Sequence, residues 1–123
     1  MSTARAVAAE LAAGDETWAL RMALQGRDHL RSMFELDPRA AASWELRPGT
    51  TGSDAWDRLL AAVAAHEFEA HGQTPPEWTQ EVQPGREWLL DNPFLGRDKV
   101  RDQTPPWLSR LGIFVSERDL ATA

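Results

Sequence analysis

Cysteine and tyrosine are absent from this 123-residue chain, and lysine occurs once, at Lys99. Without a thiol there can be no disulfide scaffold, thiolate zinc site, iron–sulfur cluster or cysteine nucleophile, and a cytoplasmic setting is expected. Apolar runs are short: charge interrupts each well before the roughly 20 residues that a membrane span requires, so no membrane partner is expected. The alanine-rich start, MSTARAVAAELAAGDE, lacks a long apolar core and contains Glu10, which argues against an export signal. Basic runs are also missing. The arginines are scattered among acids, the net charge is −6 and the pI is near 5.0, so direct nucleic-acid binding is disfavoured. No glycine-rich segment leads to Gly-Lys-Ser/Thr, and no G-x-G-x-x-G occurs. Ser32, Ser43, Ser109 and Ser116 lack the setting of a nucleophile elbow. On these grounds no catalytic residue and no cofactor is expected.

What is present describes a globular chain. Hydrophobic residues make up 42% and charged residues 26%, and a chain of this length can bury roughly two thirds of its unfolded surface. The expected architecture is all-α: a compact bundle of two or three longer helices plus several short Pro-initiated helices, with at most one very short extended segment. One helical domain over 1–123 is expected, with N-terminal helices in 1–47, a loop at 48–53 and a helical region over 54–123.

Local signals place the helices. Ser2 caps a first helix that ends at Gly14, and Asp15 caps a second that runs to about Leu36, where Asp37-Pro38 stops it. On this second helix Trp18, Met22, Met33 and Leu36 lie within about 60° of one another, widened by Ala19, Ala23, Leu30 and Phe34. That arc is the expected core face, and Gly26 within it would admit another helix closely. Leu20 and Leu24 fall on the other side among Arg21, Asp28 and Arg31, which predicts a second contact, with the first helix or with another protein. A helical turn is expected around Trp44, followed by a loop at Pro48, Gly49 and Gly52. Ser53 caps the third helix, Asp54 and Asp57 occupy its first turn, Trp56, Leu59, Leu60 and Val63 form its apolar stripe, and Gly72 ends it.

Beyond Gly72 the pieces are short. QTPPEW at 73–78 and QTPPW at 103–107 form a near-repeat, read as threonine cap, proline in the first helical position and tryptophan one turn in. QPGREWLLDNPF predicts a short helix carrying Trp88, Leu89 and Leu90, ended at Asn92-Pro93. In GIFVSERDLATA, Ile113-Phe114-Val115 suits a brief extended segment, and Ser116 with Asp119 forms a capping pair. The six tryptophans are expected mainly in the core, with one or two at an interface. The residues proposed for partner contact are Leu20, Leu24, Trp78 and Trp107.

The most explicit chemical stretch is AAHEFEAHGQ, residues 64–73. A helical zinc-protease motif sets two histidines four residues apart, about 40° apart on the wheel, so that both reach one metal. Here His66 and His71 stand five apart, which turns them by about 140°. An H-E-x-x-x-H arrangement does occur in a family of much larger zinc dipeptidyl peptidases, which use a further glutamate ligand downstream, and the likeness here covers those six residues alone. A metal site on His66, Glu67 and His71, serving a metal-dependent hydrolase, is therefore the alternative, and no metal is the expectation. Glu67 and His71, one turn apart on the core side, are read as a structural pair that supports the turn into QTPPEW, while Glu69 points to solvent.

From the third helix onward, DAWDRLLAAVAAHEFEAHGQTPPEWT, WLLDNPF and TPPWLSRLGIFVSERDL follow one another in an order that resembles the C-terminal region of actinobacterial helix-turn-helix regulator and antitoxin-like proteins. Trp56, Leu59, Leu60, His66, Gly72, Pro76, Trp78, Thr79, Gly112, Ile113, Phe114, Asp119 and Leu120 match the family pattern in order, and the resemblance spans about 70 residues. Such proteins are often encoded beside a nucleotidyltransferase-like protein. The resemblance implies a toxin–antitoxin or regulatory role through a protein partner, a nucleotidyltransferase-like toxin in first place. Apart from the resemblance, a homodimer is a further arrangement to expect. The first 50 residues depart from the family by lacking a compact helix-turn-helix with a basic recognition helix, so a dimeric DNA-binding regulator is the other alternative.

Overall fold

A computed structural model describes residues 2–37, 39, 44 and 49–121. Among these the architecture is all-α: α1 (Thr3–Ala12), α2 (Glu16–Leu36), α3 (Asp54–Ala70), α4 (Glu77–Gln80), α5 (Arg97–Asp102), α6 (Pro106–Ser109) and α7 (Glu117–Ala121), with two short strands, β1 (Trp88–Leu89) and β2 (Ile113–Phe114). None of these helices is long and apolar enough to cross a membrane. Contacts divide the chain into two compact units after Val82, inside the stretch 54–123 that the sequence groups as one region.

The first unit is a helical hairpin of α1 and α2, with α3 packed on α2 and α4 on α3. The Ser2 hydroxyl accepts from the Arg5 amide at 3.2 Å to open α1, and an Asp15 carboxylate oxygen accepts from the Trp18 amide at 3.0 Å to open α2. Between them Gly14, at φ 77°, lets its own amide reach the Leu11 carbonyl and the Asp15 amide reach that of Glu10. This is the paired bonding that closes a helix over a left-handed residue. Gly72, at φ 70°, ends α3 in the same way, with Gln73 donating to Phe68 and Gly72 to Glu69. Asp57 does more than complement the helix dipole. Its carboxylate accepts from the Thr50 hydroxyl and from both the amide and the hydroxyl of Thr51, each at 2.7 Å, and so ties the preceding loop to α3. Pro38 and most of the turn expected around Trp44 lie outside the described residues.

The face of α2 is the main correction to the expected core. The buried residues are Ala19, Leu20, Ala23, Leu24, Gly26, Leu30 and Phe34, whereas Trp18 is 46% and Leu36 87% exposed. Small alanines decide the matter, because two neighbours must approach α2 at once. α1 comes close enough that a Cβ on Gly26 would lie 2.5 Å from the Thr3 hydroxyl oxygen, so the expected tight helix contact at Gly26 is present. On α3, Trp56, Leu59, Val63, Ala64 and Phe68 are buried, and Phe68 joins Leu30 and Phe34 in one cluster with Trp44 packed against it.

The second unit holds a parallel two-stranded ladder: β1 stands in place of the helix expected at Trp88–Leu90, and the brief extended segment expected at 113–115 is present as β2. Trp88 faces Ile113 and Leu89 faces Phe114, with Trp88 donating to Gly112 at 2.8 Å and Leu90 to Phe114 at 3.0 Å. The link between the strands carries α5 and α6. Gly112, at φ 78°, permits the pairing, since a Cβ there would meet the Gly85 carbonyl oxygen at 2.8 Å. Leu90, Val100, Leu108, Ile113, Val115 and Leu120 are buried in this unit.

The near-repeats differ from the expected caps. Pro76 stands just before α4, while α6 is preceded by Pro105 and has Pro106 as its first residue, so in both the tryptophan is second in its helix. The Thr104 hydroxyl instead donates back to the Val100 carbonyl at 2.7 Å, closing α5. A residue before proline is biased away from helical geometry, which delays both starts.

Replacing Gly26 with Leu should lower the unfolding free energy by about 1–3 kcal/mol, because Thr3 and its backbone must move away. Urea denaturation followed by circular dichroism measures this, and an unchanged midpoint would remove the close α1–α2 contact from the account.

Candidate functional site

The AAHEFEAHGQ stretch lies on the last turns of α3 and is organised around a buried carboxylate. Glu67 is only 3% exposed. Arg31 reaches it from α2 as a fork, with Nη2 to Oε1 at 2.5 Å and Nε to Oε2 at 3.3 Å. The guanidinium also lies 3.9 Å from Asp28, one turn earlier on its own helix. Its hydrogen bond to Glu67 raises the arginine pKa above the ordinary value, against a smaller opposing contribution from burial. A raised basic pKa gives stability that is complete below the ordinary arginine range and fades only as pH rises through the raised value. The arginine half of the clamp therefore stays charged across the neutral range.

His71 completes the arrangement. Its Nδ1 lies 2.8 Å from the Glu67 carbonyl oxygen and 3.7 Å from the carboxylate oxygen Oε2. A carbonyl only accepts, so in this contact Nδ1 carries a proton and donates. The imidazole stacks on Phe34, with centroids 4.7 Å apart and planes at 19°, and Phe34 meets Phe68 edge-on at 4.9 Å. The Glu67–His71 proximity read from the sequence is thus present, but Arg31, which the sequence reading left on a polar face, takes the carboxylate. The signal was available on the wheel: Arg31 lies between Leu20 and Leu24, within about 20° of each, and both are buried.

This geometry does not gather the three residues of the metal alternative. Glu67 is turned into the protein against Arg31, His66 is exposed, and His71 directs Nδ1 at a carbonyl. Among the described residues no group of three His, Asp or Glu side chains is placed to hold a metal ion. The arrangement is a clamp between α2 and α3.

The residues proposed for partner contact are also redistributed. Leu20, Leu24 and Trp78 are buried, and the Trp78 indole donates to the Trp44 carbonyl at 2.7 Å, so these three are packing residues. Trp107 is half-buried. The large apolar side chains exposed among the described residues are Trp18, Leu36 and Phe94. Trp18 and Leu36 lie at opposite ends of the outer face of α2. Toward its C-terminal end that face carries an open groove of about 550 Å³ lined by residues that include His29, Ser32, Met33 and Leu36.

Phe94, 91% exposed, sits on a fixed turn in the second unit. Asn92 Oδ1 accepts from the Phe94 amide at 2.8 Å, its carbonyl accepts from Leu95 at 3.1 Å, and its Nδ2 donates to Asp119 at 3.0 Å. The expected capping role of Ser116 is met by its hydroxyl, which accepts from the Asp119 amide at 3.1 Å, while the Asp119 carboxylate is given to Asn92.

A double-mutant cycle on Arg31→Met and Glu67→Gln tests the clamp. Each single change should cost about 1–3 kcal/mol, below the roughly 3–5 kcal/mol of a fully buried pair because the Arg31 side chain is 45% exposed. The double variant should be less destabilised than the sum, and strict additivity in chemical denaturation would show that the two side chains do not interact.

Comparison of the chain with protein-family models, with curated proteins and with solved structures finds no match.

Proposed function

We propose that this chain is a small cytoplasmic antitoxin-like or regulatory protein that acts by binding another protein, with a nucleotidyltransferase-like toxin as the class of partner. The observation that carries this reading is Phe94, an exposed aromatic ring on a turn already held by Asn92 and Asp119. An exposed phenylalanine forgoes roughly 2–3 kcal/mol that burial would recover. A turn fixed in advance adds little ordering cost when the ring enters a partner's pocket. Aromatic anchors of this kind dominate the energetics of protein interfaces.

Two further features support the reading. Phe94 falls in WLLDNPF, a segment that takes part in the family resemblance across 54–120. The net charge of −6 would steer the chain toward a basic surface, such as the cleft of a protein that handles nucleotides or nucleic acid. In this reading the chain works by occupying its partner and performs no chemistry of its own.

Co-expression with the product of the adjacent gene should give a complex and relieve that product's toxicity. Phe94→Ala should weaken the complex at least tenfold, about 1.4 kcal/mol, with thermal unfolding of the free chain unchanged. Absence of both complex and relief would sink the proposal, and equal affinity for the alanine variant would remove Phe94 as the anchor.

A further inference from the structure

The geometry points to a second copy of this chain as the occupant of the outer face of α2, packed antiparallel about a two-fold axis. Trp18, Met22, His29, Met33 and Leu36 fall within about 60° on this helix, directed away from the buried Ala23, Leu30 and Phe34. Both ends of the stripe are apolar and open to solvent at Trp18 and Leu36, while its centre is short and polar at Gln25 and Ser32. This is the spacing of a helix–helix seam, and it runs about 27 Å from Trp18 to Leu36.

Charge selects the occupant and its direction. Arg21 near the start of α2 and Glu35 near its end are both exposed and stand about 40° apart on one side of the stripe, Arg21 at its edge with its guanidinium over the Trp18 ring, 4.9 Å from the centroid, and Glu35 further round. In an antiparallel pair, like flanks face each other. With the axis near residues 27 and 28, Trp18 meets Leu36 of the second copy, Met22 meets Met33, Gln25 meets His29, and Arg21 meets Glu35. Two-fold symmetry makes each contact twice. Asp28, which falls at the axis, is already paired within its own chain with Arg27 at 3.0 Å and lies 3.9 Å from Arg31, so its meeting with Asp28 of the second copy is neutralised. A parallel pair would set Arg21 against the opposite edge of the stripe, at Met33, and no ion pair would form. A single pair of helices of this length lies at the small end of stable interfaces, which gives a dissociation constant on the order of micromolar.

This interface belongs to the first unit and does not depend on Phe94. Sedimentation velocity on the full chain from about 1 to 200 μM should show a concentration-dependent dimer. Leu36→Glu, at a side chain with almost no packing in the monomer, should leave a folded monomer by circular dichroism. Arg21→Glu or Glu35→Arg alone should weaken the dimer at least tenfold, and the two together should restore it, because each swapped charge then meets its swapped partner. A wild-type chain that stays monomeric throughout, a dimer indifferent to Leu36→Glu, or a double swap that fails to recover would each overturn the proposal. Phe94→Ala should leave the dimer unchanged. A monomer that still captures the neighbouring gene product would remove the dimer alone, and a dimer that captures nothing would remove only the reading built on Phe94.

Discussion

A carboxylate buried at Glu67 constrains the first unit more than any other group, because an ionised side chain cannot remain there without a cation within reach. Arg31 supplies the cation from α2, and the two helices are thereby fixed in both register and rotation. Once Arg31 faces α3, its neighbours on the wheel, Leu20 and Leu24, must turn inward, and Phe34 must meet Phe68. The opposite side of the helix, with Trp18 and Leu36, is then forced outward. His71 adds a flat cover, its ring against Phe34 and its Nδ1 on the Glu67 carbonyl, so the end of α3 closes over the ion pair.

α2 therefore serves two neighbours through one continuous arc. Gly26 and Ala23 stand toward the α1 edge of that arc, where Thr3 marks the approach of the first helix, and Arg31 stands at the α3 edge. An arc shared in this way favours glycine and alanine over leucine and tryptophan, because two helix axes must come near a third. Size was a misleading guide to burial on this helix for that reason.

Features set by a few adjacent residues were readable in advance. Ser2, Asp15 and Ser53 cap their helices, and Gly14 and Gly72 end theirs, because each acts on amides or carbonyls within one turn. Counting turns also separated His66 from His71: His66 is exposed, while His71 stacks on Phe34. Features that need a distant partner were not readable. The Trp88-Leu89 strand exists because Ile113-Phe114, more than twenty residues on, offers a ladder, and Gly112 admits the close backbone approach. Nothing within EWLLD distinguishes that outcome from a turn of helix. Arg31 and Glu67 are likewise 36 positions apart, and neither residue names the other.

The misassigned face of α2 has a physical meaning of its own. Apolar residues at seam spacing raise the free energy of a helix face left in water, and the large ones here, Trp18, Met22, Met33 and Leu36, all lie on the side that α1 and α3 leave uncovered. The same pattern that signals a core to a reader of sequence signals burial to the chain, and an intramolecular core is only one way to meet it. The inner arc is already filled by small residues that suit close helix contacts, so rotating α2 to hide Trp18 and Leu36 would break the Arg31–Glu67 fork and part the hairpin at Gly26. The clamp thus holds the large apolar side chains outside the packing of α1, α2 and α3, on the face proposed for a second copy.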